Sequence, residues 1–424
     1  MKKLAIINGR VIDPSQKLDA ARTIFIEDGK IKKITDSKKT DASYEVINAK
    51  GCIVSPGFID LHTHLRDPGF EYREDLESGS QSAAAGGFTT ILCMANTSPV
   101  NDNASITGMI VKRAKEVGLV NILPIGAITK DLKGKEMAEI GEMVSAGAVA
   151  ISDDGRPVMN GQLMRHALEY AKRFKIPVVT HAEDCTLSAG GHMHEGKVSC
   201  RLGIKGVPSA AEETMIQRDI LLSDLTGHRL HVAHVSTKRG IEMIAQAKKD
   251  RLLVTCEVTP HHLTLTDETC TEYNTNAKVN PPLRTQADCD ALIRAINDGV
   301  VDAIATDHAP HAMDEKVCGF DHANCGMIGM ETALPVVLQL VHAKKITLKK
   351  MIELFTIGPA KAFNLKSGTL KIGATADIAI FDPKATNKID ADSFYSKSKN
   401  SPFHGMNLRG KIKFTICGGK VVYS

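Results

Sequence analysis

A chain of 424 residues with 43% apolar and 24% charged residues can bury a large core and has the composition of an ordinary globular protein. A formal net charge of +4 from scattered Lys and Arg, no Trp and only 4% aromatic residues argue against a nucleic-acid partner or an anionic membrane surface. No apolar run approaches the roughly 20 residues of a bilayer span, and the 10 cysteines stand singly without a Cys-X-X-Cys pair, which fits reduced thiols in a cytoplasmic protein.

The opening Met1-Lys2-Lys3-Leu4-Ala5-Ile6-Ile7-Asn8-Gly9 reads as a short strand and turn, interrupted too soon for a signal peptide. Short β-like runs such as Ala21-Arg22-Thr23-Ile24-Phe25-Ile26 continue to residue 55, separated by Gly, Asp and Lys. From residue 56 the pattern changes. Apolar strands are predicted near 57–63, 89–95, 121–128, 148–153, 178–183, 230–235, 252–259 and 302–307. Amphipathic helical stretches separate most of them, for example Ser209 to Leu225 and Gln286 to Asn297. Eight such units in about 300 residues predict an α/β fold of the (β/α)8, TIM-barrel type, with a doubly wound open sheet as the alternative. Ala309 to Gly326 has no clear period and reads as a mobile loop over the barrel mouth. The chain ends in further β runs, such as Ala376-Asp377-Ile378-Ala379-Ile380-Phe381. The expected organisation is a barrel over 56–364 and a small composite β-domain built from 1–55 plus 365–424.

His62 and His64 close the first barrel strand, and two residues apart on a strand they point to the same side. Arg66, two residues further, sets a fixed positive charge beside them. Active sites of such barrels lie at the C-terminal ends of the strands, so metal-ligating residue types should recur there. They do: Asp153 and Asp154 end strand four, His181 strand five, His234 strand six and Asp307 strand eight. One His-X-His pair, or His181 alone, is more often an accident or a structural histidine. Five strand ends together make that explanation poor. Histidines with carboxylates suit Zn²⁺, with Mn²⁺ or Co²⁺ as alternatives. Six such groups, counting one acid of the 153–154 pair, exceed the need of one tetrahedral zinc and favour two ions sharing a bridging carboxylate and a bridging hydroxide.

The motifs at 62–69 (His-Thr-His-Leu-Arg-Asp-Pro-Gly), 152–155 (Ser-Asp-Asp-Gly), 259–263 (Thr-Pro-His-His-Leu), 278–284 (Lys-Val-Asn-Pro-Pro-Leu-Arg), 305–311 (Ala-Thr-Asp-His-Ala-Pro-His) and 401–403 (Ser-Pro-Phe) are similar to those of the bacterial type I dihydroorotases of the amidohydrolase superfamily. The likeness extends over nearly the whole chain. It implies reversible hydrolysis of the cyclic amide of (S)-dihydroorotate to N-carbamoyl-L-aspartate, the third step of de novo pyrimidine (UMP) biosynthesis, run there as a cyclisation. It implies a first zinc on His62, His64 and Asp307, and a second on His181 and His234. Asp154, in preference to Asp153, would bridge the two zinc ions together with hydroxide. Many amidohydrolases use a carboxylated lysine there, and strand four carries no Lys. Asp307 would be the catalytic acid and base. Arg66, Asn96 and His311 would hold the substrate carboxylate with His64 beside them, Asn280 would contact the ring, and backbone groups near Cys325 and Gly326 would complete its recognition. On their own, Asn96 and Asn280 read equally as turn residues, and His311 as a solvated loop histidine. Two rivals stand beside this reading. One is another cyclic amidase (hydantoinase, dihydropyrimidinase or allantoinase), against which Arg66 and the missing lysine argue. The other is a non-catalytic relative that supports aspartate transcarbamoylase, against which the complete ligand set argues. Expected partners are the small-molecule substrate, a second copy in a homodimer and aspartate transcarbamoylase.

Overall fold

The structure, a computed structural model, describes residues 3–37 and 40–424. Met1 and Lys2 of the expected first strand, with Lys38 and Lys39, lie outside the described residues. The strands in chain order are β1 (Lys3–Asp13), β2 (Leu18–Glu27), β3 (Lys30–Thr35), β4 (Tyr44–Asn48), β5 (Ile53–Pro56), β6 (Phe58–Thr63), β7 (Phe88–Cys93), β8 (Asn121–Gly126) and β9 (Ala150–Ser152). They continue as β10 (Val178–Thr180), β11 (Met193–His194), β12 (Gly206–Val207), β13 (Leu230–Val232), β14 (Val254–Val258), β15 (Ala303–Ile304), β16 (Ile378–Lys388), β17 (Asn407–Cys417) and β18 (Lys420–Tyr423).

Strands from both ends of the chain build one sheet, ordered β18-β17-β16-β5-β1-β2-β3, with β4 beside β1. The hairpin β2–β3 turns at Asp28-Gly29, both at positive φ (50° and 74°), as the two-residue turns that match strand twist require. The join between the two ends is the antiparallel pairing of β5 with β16, where Val54 faces Ile380. Ile6, Ile24, Val54, Ile378 and Ile416 fill the core of this sheet.

The second large sheet is parallel throughout and runs β6-β7-β8-β9-β10-β13-β14-β15 in space. A bridge between Thr63 and His308 brings its last strand back to its first, making the (β/α)8 barrel. Strands buried on both faces need continuous apolar runs, and every residue of β6 and β7 is buried. Ile59, Leu61, Leu92, Ile125 and Val179 form one buried cluster with Phe363, the residue that follows the helix Ile357–Ala362. The amphipathic stretches become the outer helices Ala210–Thr226 and Gln286–Asn297. Several strands are shorter than predicted. β10 ends at Thr180, β13 at Val232 and β15 at Ile304, because the residues that follow leave the ladder and turn into the barrel mouth.

The 309–326 stretch forms a wall of that mouth. It holds a short helix, Met313–Lys316, and the buried Lys316 donates Nζ to Asn324 O (2.7 Å) and Gly326 O (3.0 Å). All ten cysteines are free thiols. Among the described residues no helix is long and apolar enough to cross a membrane.

Candidate active site

Asp60 closes the barrel beneath the mouth. Its carboxylate accepts from His62 N (3.2 Å), Thr306 N (3.0 Å) and Thr306 Oγ1 (2.6 Å), tying β6 to the residues after β15. His64, Asp154, His181, His234 and Asp307 all lie just past the last residues of their strands. Arg66, His234 and Asp307 adopt positive φ (61°, 33° and 48°). That region costs a non-glycine residue on the order of 1 kcal/mol or more, and such strain collects at functional sites.

Asp154 stands among the four histidines. Its Oδ1 lies 3.3 Å from His62 Nε2, 3.5 Å from His181 Nδ1 and 3.4 Å from His234 Nε2, and its Oδ2 lies 3.5 Å from His64 Nε2. Asp307 Oδ1 is 3.1 Å from His64 Nε2 and 3.5 Å from His62 Nε2. The ligand atoms of His62, His64 and Asp307 cluster within 4.8 Å, as do those of His62, Asp154 and His234. His181 joins through His234, 2.9 Å away. Asp153 is turned elsewhere: its carboxylate accepts from Ile128 N (2.7 Å), Thr129 N (2.9 Å) and the Thr129 hydroxyl.

These groups fit a metal centre on their own chemistry. His62 donates Nδ1–H to Glu257 Oε1 (2.8 Å), which leaves its Nε2 lone pair aimed at the two aspartates. That Nε2 is buried and has no hydrogen-bond partner. His64 likewise donates Nδ1–H to Asn96 Oδ1 (2.9 Å), and His181 donates Nε2–H to Glu183 Oε2 (3.1 Å). Each ring therefore turns a bare nitrogen inward. Burial opposes charge on Asp154, yet His62 beside it and bonds from His181 and His234 hold its carboxyl well below the usual carboxylate range. Burial likewise opposes protonation of His181, but Asp154 and Glu183 push it up to about 10. So strong a demand for positive charge is what a bound cation meets.

Above this cluster lies a cavity of about 220 Å³ walled by Arg66, Asn96, Asn280, His311, Cys325 and Gly326. It is smaller than the roughly 300–1,000 Å³ of drug-sized pockets, which suits one compact ring. A larger cleft of 540 Å³ between Leu119 and Gly418 gathers no cluster of ligating groups, so size alone does not mark the site. Arg66 is buried; its Nε donates to Pro310 O (3.2 Å), and its Nη2 lies 3.4 Å from His311 Nε2, which spends its own N–H on Cys325 O. Burial, with Arg73 nearby, lowers it only to about 10, so it stays charged. Burial and the charges of Arg66 and Lys316 push His311 down to about 3, leaving it neutral. Asn280 donates to Glu183 Oε2 (2.8 Å). The backbone at 325–326 is occupied in building the wall. Cys325 O accepts from His311 Nε2 (2.9 Å), and Gly326 N donates to Lys278 O (2.9 Å). Gly326 sits at φ 141°, where a Cβ would come within 2.8 Å of the Ala309 Cβ, so only glycine fits.

Reading the sequence missed Glu257, His231 and Glu183. Glu257 is the one charged residue of the otherwise apolar or small β14, and such a residue inside a buried strand is the available signal.

Comparison with known proteins adds to this geometry. A family profile described as dihydro-orotase-like matches residues 51–240, and another described as an amidohydrolase family matches 277–423. A dihydroorotase of Geobacter metallireducens is 51% identical over 420 residues, 99% of both chains. One of Geotalea daltonii is 50% identical over 418 residues, 99% of this chain and 98% of that one. Among solved structures, L-hydantoinase (dihydropyrimidinase) from Arthrobacter aurescens matches with a TM-score of 0.89 at 30% identity, over 99% of this chain and 96% of that chain. Dihydropyrimidinase from Brevibacillus agri, at 24% identity and a TM-score of 0.86 over 99% of this chain and 94% of that one, shares the fold.

Proposed function

The chain belongs to the dihydroorotase family of the amidohydrolases, and we propose that it interconverts (S)-dihydroorotate and N-carbamoyl-L-aspartate. As a member of that family it is a hydrolase acting on cyclic amides. Arg66 carries the substrate assignment. A buried guanidinium needs a neutralising partner; among the described residues the groups that touch this one are a carbonyl and a neutral imidazole, and the carboxylates of Asp307, Glu315 and Asp154 act on it only through space. A carboxylate on the ring supplies that partner through a two-pronged contact.

His62, His64, Asp154, His181, His234 and Asp307 would hold two zinc ions, with Asp154 between them, and such ions lower the pKa of water and polarise an amide carbonyl. Asn96 and His311 flank the substrate carboxylate beside Arg66, and Asn280, steadied by Glu183, meets the ring. Asp307 is the proton carrier. Burial works against its charge, but His62 and His64 hold its carboxyl below the usual range, so it is ionised at neutral pH and carries no proton of its own. In hydrolysis the water oxygen bonds to the ring carbonyl carbon and the ring C–N bond breaks. One water proton passes through Asp307 to the leaving nitrogen, and cyclisation reverses each step.

The test is a panel of purified enzyme with dihydroorotate, hydantoin, dihydrouracil and allantoin. Ring opening of dihydroorotate well above the others supports the reading; opening of hydantoin or allantoin without dihydroorotate overturns it. The free cysteines support a reducing, cytoplasmic setting. The reading extends to a homodimer and to association with aspartate transcarbamoylase, which light scattering of the chain alone and mixed with that enzyme would test.

A further inference from the structure

We propose that Asn400, between β16 and β17, is a positioning residue that aims the Arg66 clamp; the inference rests on the reading of Arg66 given above. Asn400 is buried and reaches the barrel mouth from the C-terminal part of the chain. Its Oδ1 accepts from His311 N (3.2 Å), and its Nδ2 donates to Ala309 O (3.0 Å) and Gly326 O (3.1 Å). The whole side-chain amide is thus spent on the substrate wall, and two of its bonds fall on either side of Pro310. Pro310 has no N–H with which to anchor itself, yet its carbonyl is the acceptor for Arg66 Nε. His311, the next residue, places its ring beside Arg66 Nη2 and Cys325 O. Asn400 therefore fixes the peptide that holds Nε and leaves the edge formed by Nη1 and Nη2 for the substrate.

The segment that presents Asn400 is itself held. Ile328 N donates to Asn400 O (3.0 Å), and Ser398 Oγ donates to Arg73 O (2.7 Å). The Ser396 hydroxyl donates to Glu74, whose carboxylate also takes His308 Nε2 (3.3 Å), next to Asp307. A rigid base of this kind is what lets one amide set the direction of a distant side chain.

Asn400→Asp tests the inference in the full-length, metal-loaded protein. The aspartate still accepts from His311 N but sets an oxygen against Ala309 O and Gly326 O in place of two donors. With Arg66 present, KM for both dihydroorotate and N-carbamoyl-L-aspartate should rise about tenfold or more, while kcat changes less than about threefold and metal content is kept. In an Arg66→Lys background, where no fork remains to be aimed, the same substitution should raise KM less than about threefold. A KM near wild type, or an equal rise in both backgrounds, overturns the inference. Should Asn400→Asp not fold, Asn400→Ser is read by the same criteria. Failure of metal-loaded wild type to turn over dihydroorotate would instead overturn the proposed function.

Discussion

Replacing Glu257 by Gln should loosen the metal centre while leaving the barrel folded. The Glu257 carboxylate is buried on β14, where Oε1 accepts from His62 Nδ1 at 2.8 Å and Oε2 accepts from His231 Nε2 at 3.2 Å. Burial opposes its charge, but the bonds from His231 and His62 hold its carboxyl down to about 2, so it is an anion at neutral pH. That charge makes the opposite nitrogen of His62 a better ligand. Gln keeps the shape and can still accept from His62 Nδ1. Its amide can donate to His231 Nε2 if that ring moves its proton to Nδ1, which already lies 2.9 Å from Thr255 Oγ1. Packing and hydrogen bonds therefore survive, and the charge is what is lost. Removing such outer partners costs roughly 10- to 100-fold in metal affinity. We expect the lower end, about tenfold, or about 1.4 kcal/mol. Competition of the purified variant against a chromophoric chelator measures this directly. Unchanged metal affinity with a normal melting temperature would refute the reasoning that Glu257 sets the ligand strength of His62.

Asp307→Asn should cut kcat by roughly 10²- to 10⁴-fold through loss of the proton carrier; a metal-loaded variant at near wild-type rate would exclude Asp307 from that role. Arg66→Lys should raise KM about tenfold with little change in kcat, because an ammonium cannot form the fork, and an unchanged KM would count against the clamp. Glu331, which is not among the ligating groups, gives a pH signature. Burial pushes its carboxyl up to about 7 against a bond from Ser396 N. The folded state thus keeps a proton that the unfolded chain releases near pH 4.5. The stabilisation is complete below that value and is lost as pH rises through about 7. Glu331→Gln should flatten the fall in melting temperature across this window, and parallel curves for the two proteins would contradict the assignment.

The barrel was legible because its parallel strands are buried on both faces and so read as apolar runs, with His62, His64, His181, His234 and Asp307 at their ends. The choice of Asp154 over Asp153 came from family likeness; sequence periodicity could not make it. In the structure Asp153 is consumed by the backbone at 128–129, a contact no local pattern reveals. Glu257 was hidden for a similar reason, since the histidine it orients lies 195 residues away in the chain. The 309–326 stretch reads as a mobile loop because it lacks a period, and its hydrogen bonds were not legible. In the structure it is bonded through a buried lysine ammonium among carbonyls and an asparagine from the C-terminal segment, and hydrophobic patterning records neither.

The central claim is that six buried side chains at the strand ends hold metal for dihydroorotate chemistry, and a zinc titration of chelator-stripped protein tests it most directly. Dihydroorotate turnover should be absent at the start, grow with added zinc and level off at about two equivalents per chain. Full turnover by the stripped protein, or none after two equivalents have bound, would contradict the account.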